Sequence, residues 1–174
     1  SGTFLDHDVP PTLISFAIAP VLAGEIVTTD FKSASHGVYL FAGATPEEQK
    51  AAWERFTALA RAGKAASAWA VENGLAEAVM KMSLGNEVGF AAASTALDWY
   101  QPMPGAIVAE LTEEIPDAVC IGVTTAEKTI TIGSDEASIS ELLALNDSVL
   151  ESVYPTKTQD AGTVESFTYE TEKR

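Results

Sequence analysis

The sequence predicts an α/β fold in which helices are stacked on a mixed β-sheet. Segments of strand-like composition alternate with segments of helical periodicity, in the order β-β-α-β-α-β-β-β-β-α. Two β-α-β crossovers early in this order are expected to be right-handed and to bring their three strands into one sheet. The 174 residues, 47% hydrophobic and 20% charged, are enough for one well-filled core and are typical of a soluble domain.

The first half contains two expected strands and a helix with a strong start signal. "TLISFAIA" (12–19) is rich in β-branched and aromatic residues and is predicted to be a buried strand, and "VYLFAG" (38–43) is predicted to be the second. The sequence Thr-Pro-Glu-Glu at 45–48 provides an N-cap, a proline at the first helical position and acids in the first turn. The helix that begins there is expected to end at Gly63.

The second half alternates in the same way. The expected strands are 64–71, 87–93, 106–111, 118–124 and 128–133, and the expected helices are 73–85 and 139–153. Several residues between Asp135 and Ser140 are possible caps for the last helix. Residues 1–8 are interpreted as an N-terminal extension in which Ser1-Gly2 is typical of cloning, and the polar stretch 157–174 as a linker.

The charge balance and the single cysteine exclude several classes of protein. With 25 acidic against 10 basic side chains the net charge is -15, which repels nucleic acid and anionic lipid, so neither is an expected partner. No apolar run approaches the roughly 20 residues of a membrane span, and no signal peptide is visible. Cys120 alone excludes an internal disulfide and indicates a reducing, cytoplasmic compartment.

The residues that commonly carry chemistry form no catalytic set and no metal site. Cys120 lies in an apolar strand and is expected to be a buried small hydrophobe. His36, in a Ser-Ala-Ser-His-Gly connector, is expected to be a turn residue, and contact with a ligand stays open. The other histidine, His7, is distant, so the spacing of metal ligands is lacking. The acid pairs at 47–48, 113–114 and 135–136 are explained by helix ends and solvation.

One stretch, "SAWAVENGLAEAVMKMSLGN" (67–86), has the strand, glycine turn and helix that many proteins use to hold phosphate. Gly74 would permit close approach of the backbone to an anion. The turn has one glycine where nucleotide-binding fingerprints have several, and Glu72 is unfavourable beside a polyphosphate unless a metal ion intervenes. The residues alone therefore favour a plain strand-to-helix corner.

Five stretches follow one another in an order that resembles a known family. They are "VPPTLISFAIA", "TTDFKSASHGVYLFAG", "RAGKAASAWAVENGLAEAVMKMSLGNEVGF", "AVCIGVTTAEKTITIG" and "SISELLALNDSVLESVYPT". Over about residues 9–156 the chain resembles the C-terminal lobe of the second synthetase half of the phosphoribosylformylglycinamidine synthases, an aminoimidazole ribonucleotide synthetase-related C-terminal domain. The resemblance implies a three-layer α-β-α arrangement with a mixed sheet of partly ferredoxin-like topology.

The resemblance also implies a function. The chain would be a structural lobe of the ligase of purine biosynthesis that uses ATP, Mg²⁺ and glutamine to convert formylglycinamide ribonucleotide to formylglycinamidine ribonucleotide. Its partners would be the other synthetase lobes and a glutaminase domain, towards which 157–174 would lead. The isolated piece is expected to be inactive, to hold no tightly bound cofactor and to be capable of self-association. A nucleotide- or phosphate-binding regulatory module and an assembly domain stay open as alternatives.

Individual residues of the turn match the family pattern incompletely. Related lobes carry a pair of glycines at the turn with an acid before them, whereas here Asn73-Gly74 keeps one glycine and Trp69 stands at the place of the acid. This departure suits a lobe that has kept a scaffold role and lost catalytic work. A Phe-Lys pair matches the family before the second strand. The ligand-facing candidates are Glu72, Asn73, Gly74 and Lys32.

Overall fold

The computed structural model describes residues 2–156. Its strands are β1 (Gly2–Phe4), β2 (His7–Val9), β3 (Gly37–Phe41), β4 (Ala65–Ala70), β5 (Gly89–Ala92), β6 (Ile107–Leu111), β7 (Val119–Thr125), β8 (Thr129–Ile132) and β9 (Asp135–Ser138). Its α-helices are α1 (Pro46–Arg61), α2 (Leu75–Leu84) and α3 (Ile139–Glu151), and a short 3₁₀ turn spans Ala23–Glu25. None of the helices in this described part is long and apolar enough to cross a membrane.

Seven of these strands form one mixed sheet in the order β4-β6-β3-β7-β5-β8-β9. Strands β3, β4, β5 and β8 share one direction, and β6, β7 and β9 run the opposite way. Strand β6 lies between β3 and β4, which α1 connects, and this split β-α-β unit is the ferredoxin-like part of the topology. Strands β1 and β2 form a separate hairpin.

The helices cover both faces of the sheet, so the expected three-layer α-β-α arrangement is confirmed. Alternate residues of β3 point to opposite faces because side chains alternate along a strand. Val38 packs in the core cluster that contains α2, and Tyr39 and Phe41 pack in a second cluster against Phe56 and its neighbours on α1. The sheet thus separates two hydrophobic cores.

The predicted start of α1 is confirmed in atomic detail. The Thr45 hydroxyl accepts a hydrogen bond from the Glu48 N–H at 3.2 Å, and the Glu48 carboxylate accepts one from the Thr45 N–H at 3.1 Å. This reciprocal capping box satisfies two backbone donors that a helix start would otherwise leave unpaired. At the other end Gly63 adopts φ 70°, a left-handed conformation that glycine takes without strain.

The strand predicted at residues 12–19 is wrong. These residues form no regular element, and the side chains of Leu13, Phe16 and Ile18 are 95%, 86% and 97% exposed. A strand is stable only when it pairs with another strand, whereas composition indicates only the preference of the side chains. The composition of 12–19 therefore could not show that a partner strand is lacking. The outer edge of β4 receives a single bridge, between Thr28 and Ser67, and no partner from 12–19.

Two structured pieces are missing from the expected element order. Residues 135–138, interpreted as helix caps, form β9, because they pair with β8 across a turn at Gly133 and put Asp135 opposite Ile132. The hairpin of β1 and β2 occupies most of the expected N-terminal extension. The division at residues 8 and 9 stays a prediction, and the predicted linker 157–174 lies outside the described residues.

Candidate functional site

The strand-to-helix turn is present where the sequence predicts it, and its geometry is set by packing. Glu72 and Asn73 are exposed, whereas Gly74 is buried and precedes α2 with φ 133°. A Cβ atom at Gly74 would lie 2.8 Å from the carbonyl oxygen of Trp99, closer than real Cβ atoms approach. Both the backbone conformation and the close contact therefore require glycine here, whether or not a ligand binds.

The first turn of α2 has already used part of its capacity to bind an anion. Helix N-termini attract anions through N–H groups that lack partners. Here the Ala76 N–H donates to the carbonyl oxygen of Trp99 at 2.9 Å, and the Asn73 N–H donates to the Glu77 carboxylate at 3.1 Å. A carboxylate thus sits where a phosphate would have to approach. These residues alone do not fit a polyphosphate, and their role in ligand contact stays a prediction.

Lys32 lies at the opposite end of α2 from the turn. The Phe31 N–H donates to the carbonyl oxygen of Met82 at 2.8 Å, and the Asn86 amide donates to the carbonyl oxygen of Phe31 at 2.8 Å. Because α2 has ten residues, its ends are separated by about 15 Å at 1.5 Å per residue. The structure therefore does not bring Lys32 together with Glu72, Asn73 and Gly74.

A buried polar cluster around Glu110 was not predicted from the sequence. Glu110 lies in β6 with no exposed surface, and its carboxylate accepts four hydrogen bonds. The donors to one oxygen are the Lys32 N–H at 2.8 Å and the Ser67 hydroxyl at 2.7 Å, and those to the other are the Ser33 N–H at 3.1 Å and His36 Nδ1 at 2.7 Å. Since four donors surround it, the buried charge is well compensated.

This cluster fixes the connector that leads into β3 and orients the ring of His36. The His36 side chain is 25% exposed, so Nδ1 is held inside by Glu110 while the ring reaches the surface. The residue borders a cavity of about 330 Å³ that Cys120 also borders. A carboxylate-oriented imidazole is a catalytic arrangement only when a reacting group lies within hydrogen-bond reach of it.

Cys120 does not provide that group. The expectation that it is buried is wrong: Cys120 is exposed, as is Val119 beside it at the start of β7. Its thiol donates to the carbonyl oxygen of Gly122 at 3.4 Å. Within residues 2–156 no group of three or more histidine, cysteine or acidic side chains is placed to hold a metal ion. The sequence signal for Glu110 was an acid inside the apolar strand "AIVAEL".

The fold is similar to that of solved phosphoribosylformylglycinamidine synthase and PurL structures. Phosphoribosylformylglycinamidine synthase II from Thermotoga maritima superposes with a TM-score of 0.60 at 10% identity, over 85% of this chain and 31% of that chain. The same organism's PurL complexed with ATP superposes with a TM-score of 0.58 at 10% identity, over 86% of this chain and 32% of that chain. Its PurLQS superposes with a TM-score of 0.56 at 12% identity, over 86% of this chain and 32% of that chain.

These similarities concern the fold, because the identities are low. The chain spans about a third of the length of the structures that it resembles. No protein-family model matches the chain, and no curated protein matches its sequence.

Proposed function

We propose that the chain is a structural, non-catalytic lobe of a larger ligase that converts formylglycinamide ribonucleotide to formylglycinamidine ribonucleotide. The observation that carries this proposal is the match of nearly the whole chain to about a third of phosphoribosylformylglycinamidine synthase II. The order of the five sequence stretches, which resembles the same enzymes, agrees with this proposal.

Exposed apolar side chains support the proposal that other lobes cover this one. In the apolar segment 10–22 the large hydrophobic side chains are 60–97% exposed: Leu13, Ile14, Phe16, Ile18, Val21 and Leu22. Along and just after α3 a second set is 59–74% exposed: Leu145, Val149, Leu150, Val153 and Tyr154. Large exposed apolar areas mark interaction surfaces in folded proteins. The proposed partners are the other synthetase lobes and a glutaminase domain in the cytoplasm.

The chemistry of the proposed ligase belongs to the other parts of the enzyme. The terminal phosphoryl group of ATP, bound there with Mg²⁺, would pass to the amide oxygen of the substrate. Ammonia from glutamine would then attack the amide carbon, and that oxygen would leave as inorganic phosphate. In this lobe the Glu110 cluster and the corner at Gly74 are already satisfied by protein groups. Its contribution would be to hold neighbouring lobes at a fixed geometry.

An activity assay with complementation tests this function. The purified chain is mixed with ATP, Mg²⁺, ammonium and formylglycinamide ribonucleotide, and phosphate release is followed. We expect no turnover from the chain alone and recovery of turnover when the remainder of the parent enzyme is added. Turnover by the chain alone at the rate of the complete enzyme would contradict the proposal, as would a remainder that is fully active without it.

The exposed side of α3 also favours a second function, assembly through this lobe itself. Leu145 and Val149 are four residues apart on one helical face, and both are more than half exposed. Sedimentation equilibrium of the chain and of Val149→Asp distinguishes the two functions. Assembly requires a dimer or larger species that the variant loses. If the chain remains monomeric at high concentration, assembly through this lobe is excluded as its function.

The ligand-facing role of Glu72, Asn73, Gly74 and Lys32 is a proposal with its own test. Titration of the chain with ATP and Mg²⁺ decides whether the turn binds nucleotide by itself, and Asn73→Ala is the suitable variant because its side chain is exposed. Substitution of Gly74 is unsuitable, since any Cβ there meets the Trp99 backbone. Micromolar binding that Asn73→Ala abolishes would support the role, and no binding up to millimolar nucleotide would remove it.

A further inference from the structure

A cavity of about 360 Å³ opens between α2, the β8–β9 hairpin and α3. Its volume lies within the range of roughly 300–1,000 Å³ that small-molecule sites occupy. The side chains that form its floor are apolar: Ala76, Met80, Ile130, Ile132 and Leu142. It is separate from the Glu110 cluster, since the residues of that cluster do not border it.

Two aromatic residues form one wall of the cavity. Trp99 is 3% exposed, packs edge-on against Phe90 at a ring distance of 5.9 Å, and donates its indole N–H to the carbonyl oxygen of Ser94 at 3.2 Å. These contacts hold its ring in place. Tyr100 is 68% exposed at the same wall and leaves its ring accessible. The wall therefore offers one accessible ring, that of Tyr100, backed by the buried and fixed Trp99.

Acidic side chains stand at the border of this apolar floor. Asp135 is the cross-strand partner of Ile132, so both lie on the same face of the hairpin. Glu77 borders the cavity from α2. Glu136 borders the cavity as well. Of the described residues that border the cavity none is basic, and none of these three carboxylates forms an ion pair with a described basic side chain. In a chain of net charge -15 this leaves a negative potential at the entrance.

We propose that this cavity binds a small, flat, apolar molecule that carries one positive charge, such as an amidinium or an ammonium group. The apolar body would lie on the floor beside Trp99, and the charge would face Asp135 and Glu77. The ring of Tyr100 adds a cation–π attraction for the same charge. Because the border is acidic, anions that carry no metal ion are repelled. The inference depends on the cavity alone and not on the function proposed above.

Three nearly isosteric probes of different charge test it: benzamidine, benzamide and benzoate. Each is titrated into the complete chain at low ionic strength, and binding is followed by ¹H–¹⁵N NMR. We expect benzamidine to bind with a Kd of roughly a few millimolar, a modest affinity for a ligand of its size. Benzamide is expected to bind about tenfold more weakly, and benzoate not at all. The indole N–H signal of Trp99 should move while those of Trp53 and Trp69 stay.

Variants that remove one charge locate the site. Asp135→Asn, which keeps the size of the side chain, is expected to weaken benzamidine about fivefold and to leave benzamide unchanged, because neighbouring charges act over short distances. Glu114→Gln removes the same charge from the loop after β6, several strands away, and should have no effect. Glu77→Gln is a second local variant in case Asp135→Asn disturbs the hairpin.

Several outcomes would overturn the proposal. It fails if benzoate binds as well as benzamidine, or if the Trp69 signal moves in place of that of Trp99. It also fails if Asp135→Asn and Glu114→Gln weaken benzamidine equally, since that would show attraction by the net charge of the chain and not by a site.

Discussion

Replacement of Glu110 by glutamine changes one atom in the buried cluster and tests its role in the fold. An amide has one accepting oxygen and an NH₂ group that only donates. The Lys32 N–H and the Ser67 hydroxyl share one oxygen of Glu110, and the Ser33 N–H and His36 Nδ1 share the other. Whichever way the glutamine turns, its NH₂ group faces one backbone N–H that cannot become an acceptor.

The expected loss of stability follows from these four contacts. The hydroxyl of Ser67 can rotate and the ring of His36 can change its proton position, so each adapts to the amide. One backbone N–H loses a hydrogen bond to a charged acceptor, which costs about 1.5–3 kcal/mol, and the other keeps a weaker neutral bond. Glu110 itself is completely buried, so its side chain has no direct access to water. We expect the free energy of unfolding to fall by about 3 kcal/mol.

Urea denaturation followed by circular dichroism measures this loss through the midpoint, with the slope expected to stay constant. Glu113→Gln is the matched control. That carboxylate is 49% exposed and pairs with Lys64 at 2.5 Å. Exposed ion pairs contribute about 0–1 kcal/mol, so the control should lose no more than this. If Glu110→Gln loses less than about 1 kcal/mol, or no more than the control, the structural role assigned to the cluster is wrong.

Three further changes have expected outcomes. Gly74→Ala should lower the free energy of unfolding by at least about 2 kcal/mol, because the new side chain strains a positive φ and crowds a backbone carbonyl. Gly24→Ala is the control, since a Cβ there points into open space and should be neutral. Equal effects of the two substitutions in thermal unfolding would refute this. Thr45→Ala should cost about 1 kcal/mol through loss of the capping box, and an unchanged melting temperature would contradict it. Cys120 should react completely with a thiol reagent in the folded chain; reaction only after unfolding would show that it is buried.

The sequence predicts best the elements whose signals are local. The start of α1 follows from four adjacent residues, and the structure forms the capping box that they specify. Strand β9 was missed because its four residues, Asp-Glu-Ala-Ser, have little strand preference, and pairing with β8 alone makes them a strand. Residues 12–19 show the converse, since strong strand preference without a partner strand gives no strand.

The candidate site likewise has one part that the sequence predicts and one part that it does not. The corner at Gly74 is visible in the sequence because strand, glycine and helix follow one another. The group that accepts the hydrogen bond of the first helical turn is not visible in the sequence, because the carbonyl of Trp99 comes from a loop 25 positions after Gly74. The Glu110 cluster was missed because its donors come from two separate parts of the chain, around Lys32 and at Ser67. No local spacing marks such a network.

Hydrogen exchange in the apolar segment 10–22 and in α3 tests the central claim most directly. The measurement compares the chain alone with the same residues inside the complete parent enzyme. If the chain is a lobe that neighbouring lobes cover, the amides of 12–19 exchange freely in the isolated chain and become protected in the complete enzyme. Equal, rapid exchange in both would contradict the account, because the apolar side chains of this segment would then have no partner to cover them.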